Sequence, residues 1–184
     1  MSTKVKHGSD MSTEEFNTLL ALDKKVFGNN ILTNEGMALK RFLRFKDSII
    51  SVYSGDTPMG FVCFFNVDRS VYERALTGRE LFDDNLCESE VIPLTKEHKN
   101  DILLFDLVVD DSYRNQGISK LLNGLIGDYL KRKCKEGYEI GRMFGYAVTP
   151  KGHRILSSYG GRDIWTRGDV TFIEINKELF MGTL

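Results

Sequence analysis

Between positions 113 and 122 the chain reads YRNQGISKLL. Arg114 stands three residues before Gly117, and Ser119 comes two residues later. From Gly117 onward the spacing turns strongly helical. These residue types in this order can hold an anion. The first N–H groups of a helix have no partner within it, and an anion placed there meets several donors at once. Gly117 has no Cβ to keep the anion away. Arg114 adds a full charge with a forked donor set, and Ser119 can add a hydroxyl. An exposed turn with a solvated arginine has the same composition, so context must decide. The segment matches neither GxxxxGK[ST] nor GxGxxG, which argues against ATP and dinucleotide loops. Just upstream, DILLFDLVVDD is an apolar run broken by one carboxylate, Asp106.

Two elements must position these residues. Residues 103–109 are nearly all apolar, as expected of a central strand covered on both faces. After Gly117, Ile118, Leu121, Leu122, Leu125, Ile126, Tyr129 and Leu130 recur at helical spacing. Lys131, Arg132, Lys133 and Lys135 gather at the end of that stretch, where the helix dipole favours cations. A strand leading into an anion-holding turn and a long helix leading out is the context a phosphate loop needs.

The remaining elements are set by periodicity and punctuation. Residues 4–7 suit a short strand. Ser12 with Glu15 three residues on forms a capping box for a helix carrying Phe16, Leu19, Leu20, Val26 and Phe27, with Asp23 the one polar break. Gly28 stops it. A second helix is expected over 33–46. Period-two stretches at 48–54 and 59–67 flank the turn Gly55-Asp56-Thr57-Pro58. One or two short helices fit within 71–86, and Pro93 interrupts the stretch after them. A strand at 143–148, a helix at 150–158 opened by Pro150, and a hairpin turning at Gly168-Asp169 complete the chain. The alternation implies one α/β domain over 1–184, with a mixed sheet and helices on both faces. The 69–100 insertion is acidic through Glu80, Asp83, Asp84, Glu88 and Glu90. It reads either as a solvated connection or as a lip that attracts a cationic amine.

Composition excludes several classes. With 184 residues, a formal charge of −1, 41% hydrophobic and 28% charged residues, the chain suits one globular domain. Near-neutral charge argues against nucleic acid or an anionic membrane as partner. No apolar run approaches the roughly 18 residues of a membrane span, and the N-terminal stretch lacks a signal-peptide core. Cys63, Cys87 and Cys134 form no metal-type pair, so reduced thiols, no metal and a cytoplasmic location are expected.

The stretch LVVDDSYRNQGIS resembles the coenzyme A signature of the GNAT N-acetyltransferases, roughly L-x-V-x-P-x-x-[RQ]-x-x-G-x-[GA]. Leu107, Val109, Arg114 and Gly117 match; Asp111 stands at the proline position and Ser119 at the final small-residue position. The order of elements fits along nearly the whole chain. The resemblance implies a central mixed, mostly antiparallel sheet whose parallel central strands splay apart. It implies acetyl-CoA as cosubstrate, its pantetheine arm lying along the backbone of Leu107, Val108 and Val109. Arg114 and the N–H groups of Asn115, Gln116, Gly117, Ile118, Ser119 and Lys120 would hold the diphosphate. The N–H of Val109 would face the thioester oxygen. A primary amine of a small molecule or protein would attack the thioester directly, in a monomer or homodimer.

A lysine-like amine, with a pKa of about 10.4, is protonated at neutral pH and needs a proton acceptor. The sequence DLVV at 106–109 is similar to a D-L-x-V of many relatives, which implies Asp106 as base or amine anchor. Strand alternation sets Asp106 on the opposite face from Leu107 and Val109. A buried carboxylate satisfied by backbone or a helix start is the other reading. The family's acid is a tyrosine four residues before a glycine in the last helix. Here that position is Leu156, while Tyr159 directly precedes Gly160. Tyr159 in a shifted register, Ser157, water and unassisted departure all remain open, and His153 reads as a surface histidine. The missing tyrosine also keeps a rival alive: a regulatory domain that holds CoA without catalysing transfer.

Overall fold

The computed structural model describes residues 3–28, 34–78 and 85–182. Its strands are β1 (Thr3–His7), β2 (Ile49–Ser54), β3 (Thr57–Val67), β4 (Asn100–Val109), β5 (Ile140–Ala147), β6 (Arg162–Arg167) and β7 (Val170–Ile175). They form one seven-stranded sheet in the order β1-β2-β3-β4-β5-β7-β6. Only the central β4–β5 pair is parallel; every other neighbouring pair is antiparallel. This is the mixed, mostly antiparallel sheet expected from the sequence.

The helices are α1 (Thr13–Phe27), α2 (Glu35–Arg44), α3 (Arg69–Thr77), α4 (Ile118–Lys135), α5 (Pro150–Ser158) and α6 (Lys177–Met181). The capping box at α1 forms: Glu15 N–H donates to Ser12 Oγ at 3.2 Å, and Ser12 N–H to the Glu15 carboxylate at 2.9 Å. Such a cap is worth about 1 kcal/mol. Burial of one large apolar side chain is worth roughly 1.5–3 kcal/mol, and α1 buries Phe16, Leu19 and Leu22. Packing therefore holds the helix, and the cap sets where it starts. Phe16 stacks on Phe42 of α2 at 4.4 Å between ring centroids. At α5 the Thr149 hydroxyl accepts from Gly152 N–H, with Pro150 in the first turn.

Paired positions assign the two faces, because opposed residues on neighbouring strands point the same way. On one face lie Cys63, Phe65, Leu103, Phe144 and Phe172, covered by α1, α2 and α3. Tyr72 of α3 packs edge-on against Phe144 at 5.2 Å, and Trp165 stacks on Phe172 at 5.7 Å while its Nε1–H donates to Ala75 O. On the other face α4 and α5 meet the sheet, and α6 packs on α4. Phe64 meets Tyr129 of α4 there, at 5.5 Å.

The sequence pattern misplaces some boundaries. β4 starts at Asn100 and β5 at Ile140, earlier than their apolar runs. Asn100 is fully buried and acts as a hub. Its side chain accepts from Thr95 N–H and Asn66 Nδ2, and donates to Thr95 O and Glu139 O, at 2.8–3.1 Å. Polar side chains so satisfied are hidden from a hydrophobicity pattern. The second helix occupies 35–44 of the expected 33–46, and Thr33 lies outside the described residues, as do Glu80, Asp83 and Asp84 of the acidic insertion. The rest of that insertion contains α3 and then returns beside β3 through a bridge between Val91 and Val67. α6, a single short turn after Asn176, carries too little periodicity to be anticipated.

Candidate active site

The site arises where β4 and β5 part. Their parallel pairing runs from Asn100 with Ile140 to Leu104 with Gly145 and goes no further, although both strands continue. On the other side β4 stays paired with β3 to Val109, but with one irregularity: Leu104 opposes Phe64 and Asp106 opposes Cys63, leaving Phe105 as an extra residue. A β-bulge of this kind bends and twists its strand. The pairing with β5 ends at Leu104, immediately before this extra residue.

The gap opens into a cleft of about 500 Å³. Its walls include Leu104, Phe105, Asp106, Leu107 and Val109 of β4, Tyr146 and Ala147 of β5, Val26 and Phe27 of α1, Ser119 and Asn123 of α4, and Leu156 of α5. Arg114, Lys151 and Arg154 bring positive charge to the same cleft. Asp110 N–H donates to Met59 O of β3. Antiparallel alternation then directs the N–H and C=O of Val109 to the opposite edge, toward the gap.

At the head of α4 the turn is built from left-handed residues: Asn115 has φ 62° and Gly117 has φ 79°. A Cβ on Gly117 would meet nothing within 4 Å, so the turn faces open space. No side chain caps the helix there. The nearby carboxylate of Asp111 pairs with Arg114 at 2.6 Å, and Gln116 Nε2 donates to Ser112 O. The acid beside the turn, Asp111, is engaged by Arg114, and Asn115, Gln116, Gly117 and Lys120 are exposed.

The residues anticipated from sequence fall into three groups. Asp106, Leu107, Val109, Arg114 and Ser119 line the cleft. Asn115, Gln116, Gly117, Ile118 and Lys120 form the turn and first helical residues beside it, Ile118 buried and the others exposed; Val108 is fully buried and pairs with Phe61. Tyr159 is not in the cleft wall: it ends α5 and packs edge-on against Phe180 at 4.9 Å. His153 pairs with Asp163 at 2.9 Å on the surface.

The electrostatics centre on Asp106. It faces the α1 side of the sheet, as alternation requires, since it opposes Cys63 rather than Val62. Burial, and then the hydrogen-bonded carboxyl of Asp23 on α1, pushes the Asp106 carboxyl well above the usual carboxylate range; the Leu107 N–H acts the other way. Cys63 is likewise pushed well up, by burial first and then by Asp106, so it is a neutral thiol. Sequence reasoning missed Asn123 and Tyr146 in the cleft wall, and Asp23 as the acid acting on Asp106. Asp23 left a signal, a polar break in an apolar helical stripe. Asn123, only 4% exposed, left none: it stands about 100° around α4 from Leu122, off the apolar stripe.

No family model and no curated protein matches this sequence. Solved structures do match. The loading GNATL domain of CurA from Lyngbya majuscula superposes with a TM-score of 0.69 at 12% identity, covering 97% of this chain and 99% of that one. FeeM, an N-acyl amino acid synthase from uncultured soil microbes, gives 0.65 at 12% identity, covering 97% and 93%. The PaiA N-acetyltransferase of Thermoplasma acidophilum, solved with coenzyme A, gives 0.60 at 16% identity, covering 96% and 99%. The chain has the GNAT fold. The likeness extends over nearly the whole of each protein. At these identities the GNAT likeness describes the backbone, and the chemistry must come from the side chains.

Proposed function

We propose that the chain transfers an acetyl group from acetyl-CoA to a primary amine within a ternary complex. One observation carries this reading: a single cleft joins the parted ends of two parallel strands to an uncapped, outward-facing helix start. The PaiA enzyme, which shares the fold, was solved with coenzyme A. In the proposed complex the diphosphate sits on the amides of residues 115–120 with Arg114 beside it, and the pantetheine arm runs along Leu107–Val109. The Val109 N–H then donates to the thioester oxygen as charge develops on it.

Asp106 accepts a proton from the incoming ammonium group, freeing the lone pair that attacks the thioester carbon. The C–S bond breaks, the sulfur leaves with the electron pair, and the second amine proton goes to the thiolate. Tyr146 in the cleft wall is better placed to deliver that proton than Tyr159, which faces Phe180. Calorimetry with acetyl-CoA tests the binding half: saturable binding is expected, and Gly117→Glu should abolish it by setting a carboxylate in the anion cradle. Thiol release from acetyl-CoA with a panel of primary amines tests the catalytic half.

A second reading is a CoA-binding regulatory domain without turnover. It is favoured by Leu156, an apolar residue of the cleft wall at the position where the family places its acid. Acetyl-CoA binding without thiol release on any amine of the panel would decide for it.

A further inference from the structure

Asp106 does not stand alone at the cleft. Asp23, Val26 and Phe27 fall at i, i+3 and i+4 on α1, so they share one face of the helix. Val26 and Phe27 line the cleft, and Asp23 lies one turn deeper, 7% exposed. The bulge at Phe105 presents Asp106 to that face, and after burial it is Asp23 that raises the Asp106 carboxyl most. Two carboxylates have no donor to offer each other; a hydrogen bond between them requires a proton.

Neither stability nor helix formation explains Asp23. It sits near the C-terminal end of α1, where the helix dipole disfavours a negative charge. It is buried beside a second acid, and an apolar residue would fit an apolar stripe at lower cost. Rules of local consistency are broken most often where a site does chemistry.

We propose that Asp23 is a positioning residue for the base: it shares one proton with Asp106, and the two carboxyls take up the amine's proton as a unit. The idea rests on the transferase reading above and deepens it. The proton leaves the ammonium nitrogen for the carboxyl pair and passes from there to water after the amide has formed. A base works best when its pKa lies near the working pH. A lone solvated aspartate, at about 3.9, is far too weak to compete for an ammonium proton. A partner carboxyl strengthens it by making the second ionisation of the pair difficult.

Several groups from neighbouring elements surround the two carboxyls. From α2, the Arg41 guanidinium lies over the Phe105 ring at 5.2 Å, and its Nε–H donates to Leu86 O at 2.8 Å. From β3, Cys63 stands opposite Asp106 and feels both acids and Arg41. From β4 itself, the Leu107 N–H donates to Asp106. Cys63 stays neutral, and Arg41, packed over Phe105, brings a cation to the same face of the sheet.

The test begins with the full chain free of ligand. Carbon-13 labelling of aspartate carboxyls allows the pair to be titrated by NMR. The expected result is two linked steps, the upper well above the ordinary carboxylate range. Asp23→Asn keeps the shape and a hydrogen bond but removes the charge. It should leave a single step for Asp106, moved toward acid by at least about one pH unit, a tenfold change in its ionisation constant. Asp23→Ser serves if the asparagine variant folds poorly.

The kinetic arm uses acetyl-CoA with primary alkylamines. The rising limb of rate against pH should move to lower pH in Asp23→Asn, with KM for acetyl-CoA unchanged. A purely structural role would lower the rate without moving the limb. An Asp106 that titrates as an ordinary aspartate, or a midpoint or limb unmoved by the substitution, overturns the proposal. Failure to bind acetyl-CoA sinks the transferase reading and the pair's role as base with it, whereas the NMR titration can fail while binding and turnover stand.

Discussion

The two halves of β4 obey opposite rules. From Asn100 to Leu104 the strand lies between β3 and β5, and all but Leu104 is buried. Its one amide side chain, Asn100, is satisfied by several partners. From Phe105 to Val109 it keeps β3 on one edge and loses β5 on the other. Its one acid, Asp106, is opposed by a second acid instead of a cation. One extra residue at Phe105 separates the two regimes. A strand that is wholly paired can hold a fold together but has no backbone groups left for a ligand. Parting it from one neighbour frees those groups, and the pairing with β3 continues to Val109.

The largest effect should come from the open half. Asp106→Asn is expected to lower the rate of transfer by about 10²–10⁴, with acetyl-CoA affinity unchanged in calorimetry. Its effect on stability should have the opposite sign. The native state holds the Asp106 proton to higher pH than the unfolded chain does. Its contribution is therefore present below the ordinary carboxylate range and is lost as pH rises through the native midpoint. Urea unfolding at pH 4 and pH 8 should show the variant gaining on the wild type at the higher pH. A variant that loses stability equally at both would mean that the carboxyl is a structural anchor like Asn100.

Asn100→Leu tests the closed half. It strands the Thr95 and Glu139 backbone groups and Asn66, and should cost about 3 kcal/mol of stability, read from the urea midpoint. The folded fraction should still bind acetyl-CoA as the wild type does. If instead affinity falls with stability, the two halves are not separable. Arg114→Ala comes next in size. Its only described ion pair is the exposed one with Asp111, and exposed pairs contribute little to stability. The variant should fold as before and bind acetyl-CoA roughly tenfold more weakly.

The same division decides what could be read from sequence. Segments where one physical demand acts were legible. The α1 capping box, the apolar stripe of α4 and the Pro150 start of α5 all appear where their residues place them. The glycine turn was legible because Gly117 takes the left-handed conformation at the start of α4. What sequence could not supply was the register. Alternation correctly set Asp106 away from Leu107, but no residue type announces that Phe105 is the extra one. The meeting of Asp23 with Asp106 needs a helix and a strand 83 positions apart to be docked first. Tyr146 was hidden for a related reason: it reads as one more aromatic of a buried strand, and only the parting of β5 from β4 brings it into the cleft.

That parting makes Tyr146 the last point of comparison, because it asks whether the freed end of β5 does chemistry, as proposed for the freed end of β4. Its ring packs on Phe172 at 5.3 Å and Trp165 at 5.9 Å, so Tyr146→Phe keeps the packing and removes only the hydroxyl. If that hydroxyl protonates the departing thiolate, thiol release should slow by about tenfold, with the loss confined to kcat. Tyr159→Phe is the matched control. Its ring contact with Phe180 survives the change, so its rate should stay within about twofold of the wild type, the scale of a surface substitution. Should the two variants exchange places, with Tyr159→Phe slow and Tyr146→Phe unaffected, the acid would come from the end of α5 after all. The chemistry would then belong to β4 alone, with β5 contributing only the gap.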